Sequence, residues 1–326
     1  MAGFCLNMKI KDIGGEFGLI NRIKKSVRLF SSDVVAGIGD DAAVLKHSNA
    51  HYLLFTTDAL VENVHFSLKY FTPEQIGMKS VEQNVSDIAA MGGLPKYLIL
   101  SLMLPKGIEV DIVDRIICGI NKKCKLRKID FVGGNTSASK EIIISMAMLG
   151  FVEKKHLALR SRAKINDLVF CSGDAGKSSV GLELLRHNLK GESIKKHLEP
   201  QSRLDLSRKL VGIGINSMID VSDGVASEVS HIYEESKVGA VIYADKIPIS
   251  KNMVQDAKKL GKNPLDFALY GGEDFELVFT ANKNKLRQLR KFDVSVIGKI
   301  VDKKYGIKLV KGGKSLKLKN GFEHFR

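Results

Sequence analysis

Six aspartates constrain this chain more than any other feature. Asp40, Asp41, Asp58, Asp87, Asp220 and Asp223 all stand beside a glycine turn or an apolar run. Carboxylates at the margin of a core repel one another unless cations neutralise them. The fold must either scatter these groups over separate turns or gather them around positive charge. Spacing along the chain leaves both open.

Each context suggests a local geometry. Gly37-Ile38-Gly39-Asp40-Asp41 predicts a tight strand-to-strand turn with two carboxylates at its tip, which an Asp-rich turn alone would also explain. Tyr52 to Asp58 reads as an apolar strand ending in Thr56-Thr57-Asp58, three oxygen-bearing side chains that suit a hard cation. His65 follows, as readily structural as functional. Thr72-Pro73-Glu74-Gln75 predicts a helix start, with an N-cap, a proline at the first helical position and a capping-box glutamine. Gly92-Gly93 and Pro95 end that helix. At about 100° per residue, Met78, Val81, Val85, Ile88 and Ala89 form its core face. Ser80, Asn84, Asp87 and Met91 share a separate stripe, facing solvent or a polar cleft.

Glycine marks the remaining clusters. Gly133-Gly134-Asn135-Thr136 reads as a loop before the strand 142–152, where backbone N–H groups could approach a phosphate. Asp220-Val221-Ser222-Asp223-Gly224 opens an amphipathic helix that Ser222 or Asp223 could cap. Gly271-Gly272-Glu273-Asp274 leads two acids into a strand expected over 275–280. Gly173-Asp174-Ala175-Gly176-Lys177-Ser178 imitates a phosphate-binding P-loop but is two residues short, so it is read as a decoy. The polar stretch 189–208 reads as a mobile helix-loop-helix region.

Composition narrows the class. The 326 residues carry 51 Lys+Arg against 36 Asp+Glu, a net charge of +15. The lysines are scattered as pairs, there is no tryptophan, and no aromatic-interleaved basic stripe occurs, so a solvated surface is expected rather than a specific nucleic-acid partner. Cys5, Cys118, Cys124 and Cys171 show no CxxC pairing, which points to buried thiols in a reducing compartment. The longest apolar run, 142–152, is too short for a membrane span. A cytoplasmic protein of two domains, 1–152 and 153–326, is the expectation. Several Mg²⁺ ions held by aspartates near glycine-rich backbone follow the logic of phosphoryl transfer. The residues alone therefore reach a Mg²⁺- and nucleotide-dependent enzyme.

Taken in order, GIGDDAAV, TTDALVENVHF, NVSDIAAMGG, GGNT, DVSDG and YGGEDFEL resemble the thiamine-monophosphate kinase family, in the superfamily of aminoimidazole ribonucleotide synthetase. The resemblance runs from about Gly14 to the C-terminal Gly321-Phe322-Glu323-His324-Phe325. It implies an α+β, two-domain fold whose N-terminal sheet forms a shared barrel in a homodimer. It also implies direct in-line transfer of the γ-phosphoryl of ATP, the co-substrate, onto thiamine monophosphate, without a catalytic nucleophile. Asp40, Thr56, Thr57, Asp58, Asp87, Asp220 and Asp223 resemble the Mg²⁺ ligands, and Asp41 joins them from the residue reading. Gly133, Gly134, Asn135, Arg160 and Ser222 resemble the ATP contacts; His65, Glu273 and Phe322 resemble the thiamine-phosphate contacts. Two positions depart from the pattern: Asn135 stands where GGDT is commoner, and Lys177 reverses a charge in the Gly176-Lys177-Ser178 loop. The alternatives are another ATP-dependent enzyme of the superfamily, or a catalytically weak Mg-ATP-binding relative.

Overall fold

The computed structural model describes residues 8–316. Phe322 and Cys5 lie outside the described residues. Six strands form the first sheet: β1 (Val34–Ala36), β2 (Ala43–Lys46), β3 (His51–Val61), β4 (Leu94–Pro105), β5 (Asp130–Ser139) and β6 (Ile143–Glu153), in the order β1-β2-β3-β6-β4-β5. The second sheet holds β7 (Leu168–Ser172), β8 (Ser217–Asp220), β9 (Gly239–Tyr243), β10 (Leu277–Ala281), β11 (Val294–Val301), β12 (Ile307–Lys311) and β13 (Lys314–Leu316). Its order is β13-β12-β9-β11-β7-β10-β8. Both sheets are mixed: β4–β5 and β9–β12 pair in parallel, and the other ladders are antiparallel. Helices include α1 (Gly15–Ser26), α2 (Pro73–Ala90), α3 (Val110–Arg127), α4 (Lys177–Arg186), α5 (Ser193–Leu198), α6 (Leu204–Ile213) and α7 (Val225–Ser236).

The start of α2 follows its sequence signals. Thr72 accepts from the Gln75 N–H, Gln75 reaches back to the Thr72 N–H, and Pro73 takes the first helical position. The predicted core face is buried on the first sheet, with Val81, Val85, Ile88 and Ala89 fully inaccessible. The second stripe does not face solvent. Ser80, Asn84 and Met91 are buried too, because α2 also packs on β8 and α6 of the second half. Against α3 the approach is close enough to require glycine: a Cβ on Gly77 would lie 2.1 Å from the Ile116 carbonyl oxygen, and one on Gly119 2.1 Å from that of Glu74.

Burial on every side forces the polar side chains of α2 to find partners inside the protein. Glu82 is fully buried and accepts from Lys123 (2.9 Å), from Arg127 (3.1 and 3.0 Å), and from the Ser202 N–H and hydroxyl (2.8 and 2.6 Å). One carboxylate thus ties α2 to α3 and to the segment before α6. Burial pushes the Glu82 carboxyl up, but Arg127, Lys123 and Ser202 outweigh it and hold it below the ordinary range. The polar stretch 189–208 does contain two helices, α5 and α6. Its Ser193, His197, Ser202 and Ser207 are buried rather than solvated.

Three sequence expectations shift in register. β3 does not end at Asp58 but runs on to Val61. Gly133-Gly134-Asn135 is not a loop; it lies within β5, an exposed edge strand, just past a bulge at Val132 where the ladder with β4 slips by one residue. β10 begins at Leu277 rather than 275, because Phe275 adopts a left-handed backbone (φ 49°). Among the described thiols Cys124 and Cys171 are buried, whereas Cys118 is exposed.

Removing the Glu82 carboxylate would leave Lys123 and Arg127 uncompensated. Glu82→Ala should therefore lower the unfolding free energy by about 3–5 kcal/mol, measured by urea denaturation. A loss under about 1 kcal/mol would mean that the cluster contributes little.

Candidate active site

The first and second halves meet over a set of carboxylates. Oxygen atoms of Asp41, Asp87 and Asp220 all lie within 4.8 Å of one another. Asp41 comes from the β1–β2 turn, Asp87 from the last turn of α2, and Asp220 from the end of β8. Thr56, on β3, donates to Asp87 Oδ2 at 2.5 Å and lies 3.2 Å from the Asp41 carbonyl oxygen. Ser86 donates to Asp220 Oδ2 at 2.5 Å, fastening α2 to β8. Asp40 accepts from the Arg160 N–H at 3.2 Å.

The electrostatics of the set are those of a site short of positive charge. Burial, reinforced by Asp41, pushes Asp40 up to about 7. Burial, with Asp223 and Asp41 nearby, pushes Asp58 up to about 7. Asp220 rises to about 8 through burial and Asp41, and Asp87 is also pushed well above the ordinary carboxylate range through burial, Asp58, Asp220 and Asp41. Arg160 is the cation inside the cluster, ion-paired to Asp41 at 2.5 Å. Its guanidinium is thereby committed to an aspartate, although the family pattern assigns Arg160 to ATP. The second Asp41 oxygen is buried and has no hydrogen-bond partner.

Thr57 and Asn135 stand apart from this centre. Strand side chains alternate between faces, so Thr56 and Asp58 share the face covered by α2 while Thr57 points from the other. There its hydroxyl donates to the Met146 carbonyl at 2.9 Å. Asn135 pairs with Ser101 across the β4–β5 ladder, and Ser101 with Ser145, which faces Ala59; these positions lie on Thr57's side of the sheet. Three consecutive oxygen-bearing residues therefore do not converge on one ion through their side chains.

A cleft of about 770 Å³ opens beside the aspartates. The first half supplies Asp58, His65 and Asp87; the second supplies Asp220, Ser222, Asp223 and Glu273. His65 is anchored, its Nδ1 accepting from the Val61 N–H at 3.1 Å. Glu273 sits at a left-handed φ of 64°, and its N–H donates to the Ser222 carbonyl at 2.8 Å. That closeness is why glycine precedes it: a Cβ on Gly272 would fall 2.0 Å from the Ser222 oxygen.

Sequence reasoning missed two features. The helix after Gly224 is not capped by Ser222 or Asp223. Instead buried Glu228 accepts from the N–H groups of both, at 3.2 and 2.9 Å, and so shapes the loop that carries Asp223. An acid in the first turn of a helix was the available signal. Tyr270 and Phe267 give the cleft an aromatic wall. The decoy loop also finds its explanation. The N–H groups of Gly176 and Ser178 donate to the buried Asp274 carboxylate, at 2.8 Å from Ser178. An internal anion thus fills the nest at the start of α4, and Lys177 pairs with Asp174 at 3.2 Å.

Comparison with known proteins finds two family matches along the chain. Residues 39–152 match the family described as AIR synthase related protein, N-terminal domain, and residues 164–310 match its C-terminal domain. The chain is similar to a thiamine-monophosphate kinase of Aquifex aeolicus, 38% identical over 98% of this chain and 100% of that protein. It is also similar to the thiamine-monophosphate kinase of Bacillus subtilis, at 34% identity over 95% and 99%. A solved structure described as "AaThiL complexed with AMPPCP and TMP" superposes with a TM-score of 0.87 at 37% identity, covering 98% of this chain and 100% of that one.

Replacing one of the repelling carboxylates should relieve the centre and disable it at once. Asp87→Asn keeps the hydrogen bond to Thr56 and removes a carboxyl that ionises freely in the unfolded chain but is hindered from ionising in the folded one. In the absence of divalent cations at pH 8 its melting temperature should exceed that of the wild type by about 2–4 °C for each kcal/mol of relief. Turnover should be lost, and with it the rise in melting temperature that Mg²⁺ brings. A variant less stable than the wild type without cations would refute the repulsion argument.

Proposed function

Since this chain belongs to the thiamine-monophosphate kinase family, we propose that its buried aspartates hold Mg²⁺ while the adjoining cleft receives the two substrates. The enzyme transfers the γ-phosphoryl group of ATP to thiamine monophosphate, yielding thiamine diphosphate and ADP. The observation that carries the metal reading is the convergence of Asp41, Asp87 and Asp220 oxygens within 4.8 Å, at a cleft also lined by His65 and Glu273. An all-oxygen donor set, one member of which has a buried oxygen without a hydrogen-bond partner, fits a hard divalent cation. Asp58, Asp223, Asp40 and the hydroxyl of Thr56 would complete the set. Bound there, Mg²⁺ would neutralise the phosphate charge that develops during transfer.

The chain's own residues have simpler tasks. The acceptor is a phosphate, already anionic, so no strong base is required and in-line transfer follows from positioning. Ser178 and His197 do form a pair at 3.1 Å, but both are buried, and burial with Lys79 nearby pushes His197 down to about 3. Such a pair holds structure together and is not an exposed nucleophile. Ser222 is assigned to ATP, and His65 and Glu273 to thiamine monophosphate. Gly133, Gly134 and Asn135, expected among the ATP contacts, lie on the edge strand β5 and are not among the residues that line this cleft. Tyr270 and Phe267 offer flat surfaces for a heteroaromatic ring.

We further assign the outer face of the first sheet to a second copy of the chain. Phe55, Ile99 and Val132 are 44%, 49% and 60% exposed there, and β5 offers an unpaired edge. Antiparallel sheets commonly leave one face to water, but an apolar face with an open edge calls for a cover. Closing two such sheets into a barrel would place Thr57 and Asn135 at the interface. The division into 1–152 and 153–326 accords with the two family matches. No helix of the described residues is long and apolar enough to cross a membrane, and a cytoplasmic location is assigned.

Incubated with Mg²⁺, ATP and thiamine monophosphate, the protein should form thiamine diphosphate, separable by chromatography; excess EDTA should stop it. Product formed equally with EDTA would exclude the metal reading. By light scattering, the wild type should have twice the chain mass and Ile99→Lys the mass of one chain. An unchanged mass in the variant would move the interface elsewhere.

A further inference from the structure

Among the described residues, Lys79 is the largest charged side chain that is fully buried, and the scheme above gives it no role. It sits on α2, fully inaccessible, and its ammonium lies 2.7 Å from Glu273 Oε1 and 2.9 Å from the His65 carbonyl oxygen. The ring of Phe71 is 5.3 Å away. A single ammonium thereby contacts both residues assigned to the acceptor, one from each half of the protein. Glu273 also faces His197, whose Nδ1 is 3.5 Å from Oε2. Because burial keeps His197 neutral, Lys79 is left to match the charge of Glu273. Burial pushes the Glu273 carboxyl up, but the groups facing it, Lys79 first among them, hold it below the ordinary range.

Withdrawing an ammonium from water costs several kcal/mol, and its ion pair recovers that only with good geometry. A buried methionine of similar length would fill the same space without the cost. What the lysine adds is a fixed distance between the β3–α2 connection, where His65 sits, and the Gly271–Glu276 segment. That segment needs fixing, since Glu273 and Phe275 both hold left-handed backbone that non-glycine residues seldom adopt. Further tethers run to the loop carrying Asp223, through Glu273 N–H to Ser222 O and Phe275 N–H to Val221 O at 3.0 Å, to the start of α4 through Asp274, and to Lys196 and Arg203 through Glu276. Among these contacts Lys79 is the one that holds the Glu273 carboxylate and His65 together.

We propose that Lys79 is a positioning residue for the acceptor: it holds Glu273 and His65 at the spacing that thiamine monophosphate requires and has no contact with ATP. This rests on the assignment of Glu273 and His65 to that substrate. Acting through Glu273, Lys79 should govern the KM for thiamine monophosphate and leave the KM for ATP alone.

The test is a kinetic double-mutant cycle on the full chain with Lys79→Met, Glu273→Gln and the pair together. Lys79→Met should raise the KM for thiamine monophosphate about tenfold and change that for ATP by less than about twofold. The double variant should be no worse than Glu273→Gln, since the carboxylate through which Lys79 acts is already gone. It should also melt above Lys79→Met, which leaves the partly buried Glu273 carboxylate without its ammonium partner. An unchanged KM for thiamine monophosphate in Glu273→Gln would remove Glu273 from the substrate and overturn the assignment beneath the proposal. If Glu273→Gln raises that KM, a Lys79→Met variant with normal kinetics, or with both KM values raised alike, overturns the positioning role itself. Should Lys79→Met fail to fold, the double variant decides. A KM equal to that of Glu273→Gln upholds the proposal, and a further tenfold rise overturns it.

Discussion

The structure depends on one helix buried along nearly its whole length. Because α2 is packed between the first sheet and the second half, the polar groups buried past its first turn have to be answered from within the protein. Glu82 is met by Lys123, Arg127 and Ser202, Ser86 by Asp220, and Lys79 by Glu273 and His65. Each of these three answers includes a residue from the far half of the chain: Ser202, Asp220 and Glu273. The halves are thus joined by directional, charged contacts along one helix, which fix orientation as well as proximity. The active-site cleft is a consequence of that orientation, since Asp87 and Lys79 belong to the same helix as the clamp at Glu82.

The aspartate centre illustrates why such rigidity is needed. At a separation near 4.8 Å, two unit charges at an effective dielectric of about 20 repel by about 3 kcal/mol. Several such pairs would push the β1–β2 turn, β8 and α2 apart unless the surrounding packing resisted. Arg160 relieves part of the strain by pairing with Asp41, and burial keeps several carboxyls protonated near neutrality. What remains is a concentration of carboxylates that the surrounding packing holds together.

A good part of this was legible in the chain. The capping box at Thr72 and Gln75 formed as the residues predicted, and the six family motifs identified a kinase of thiamine monophosphate. Local signals fail where tertiary contacts decide. The glycines of Gly133-Gly134 read as a loop, yet they occupy a strand whose ladder comes from β4, a partner thirty-odd positions earlier. Thr57 read as a ligand because adjacency in sequence hides the alternation of faces, and only the placement of α2 distinguishes the two sides. The P-loop look-alike could not disclose that its anion is Asp274, almost a hundred positions further on.

Local residue patterns set the chemistry available: aspartates at core margins, glycines permitting close backbone approach, and a helix with a core face and a separate second stripe. These are properties of residue type and short-range spacing, which the chain carries locally. Only the tertiary structure decided which aspartates meet, that Arg160 serves Asp41, that Glu228 shapes the Ser222–Asp223 loop, and that Lys79 is buried against Glu273. Those pairings join residues far apart in the chain, and their geometry exists only once both sheets have closed on α2.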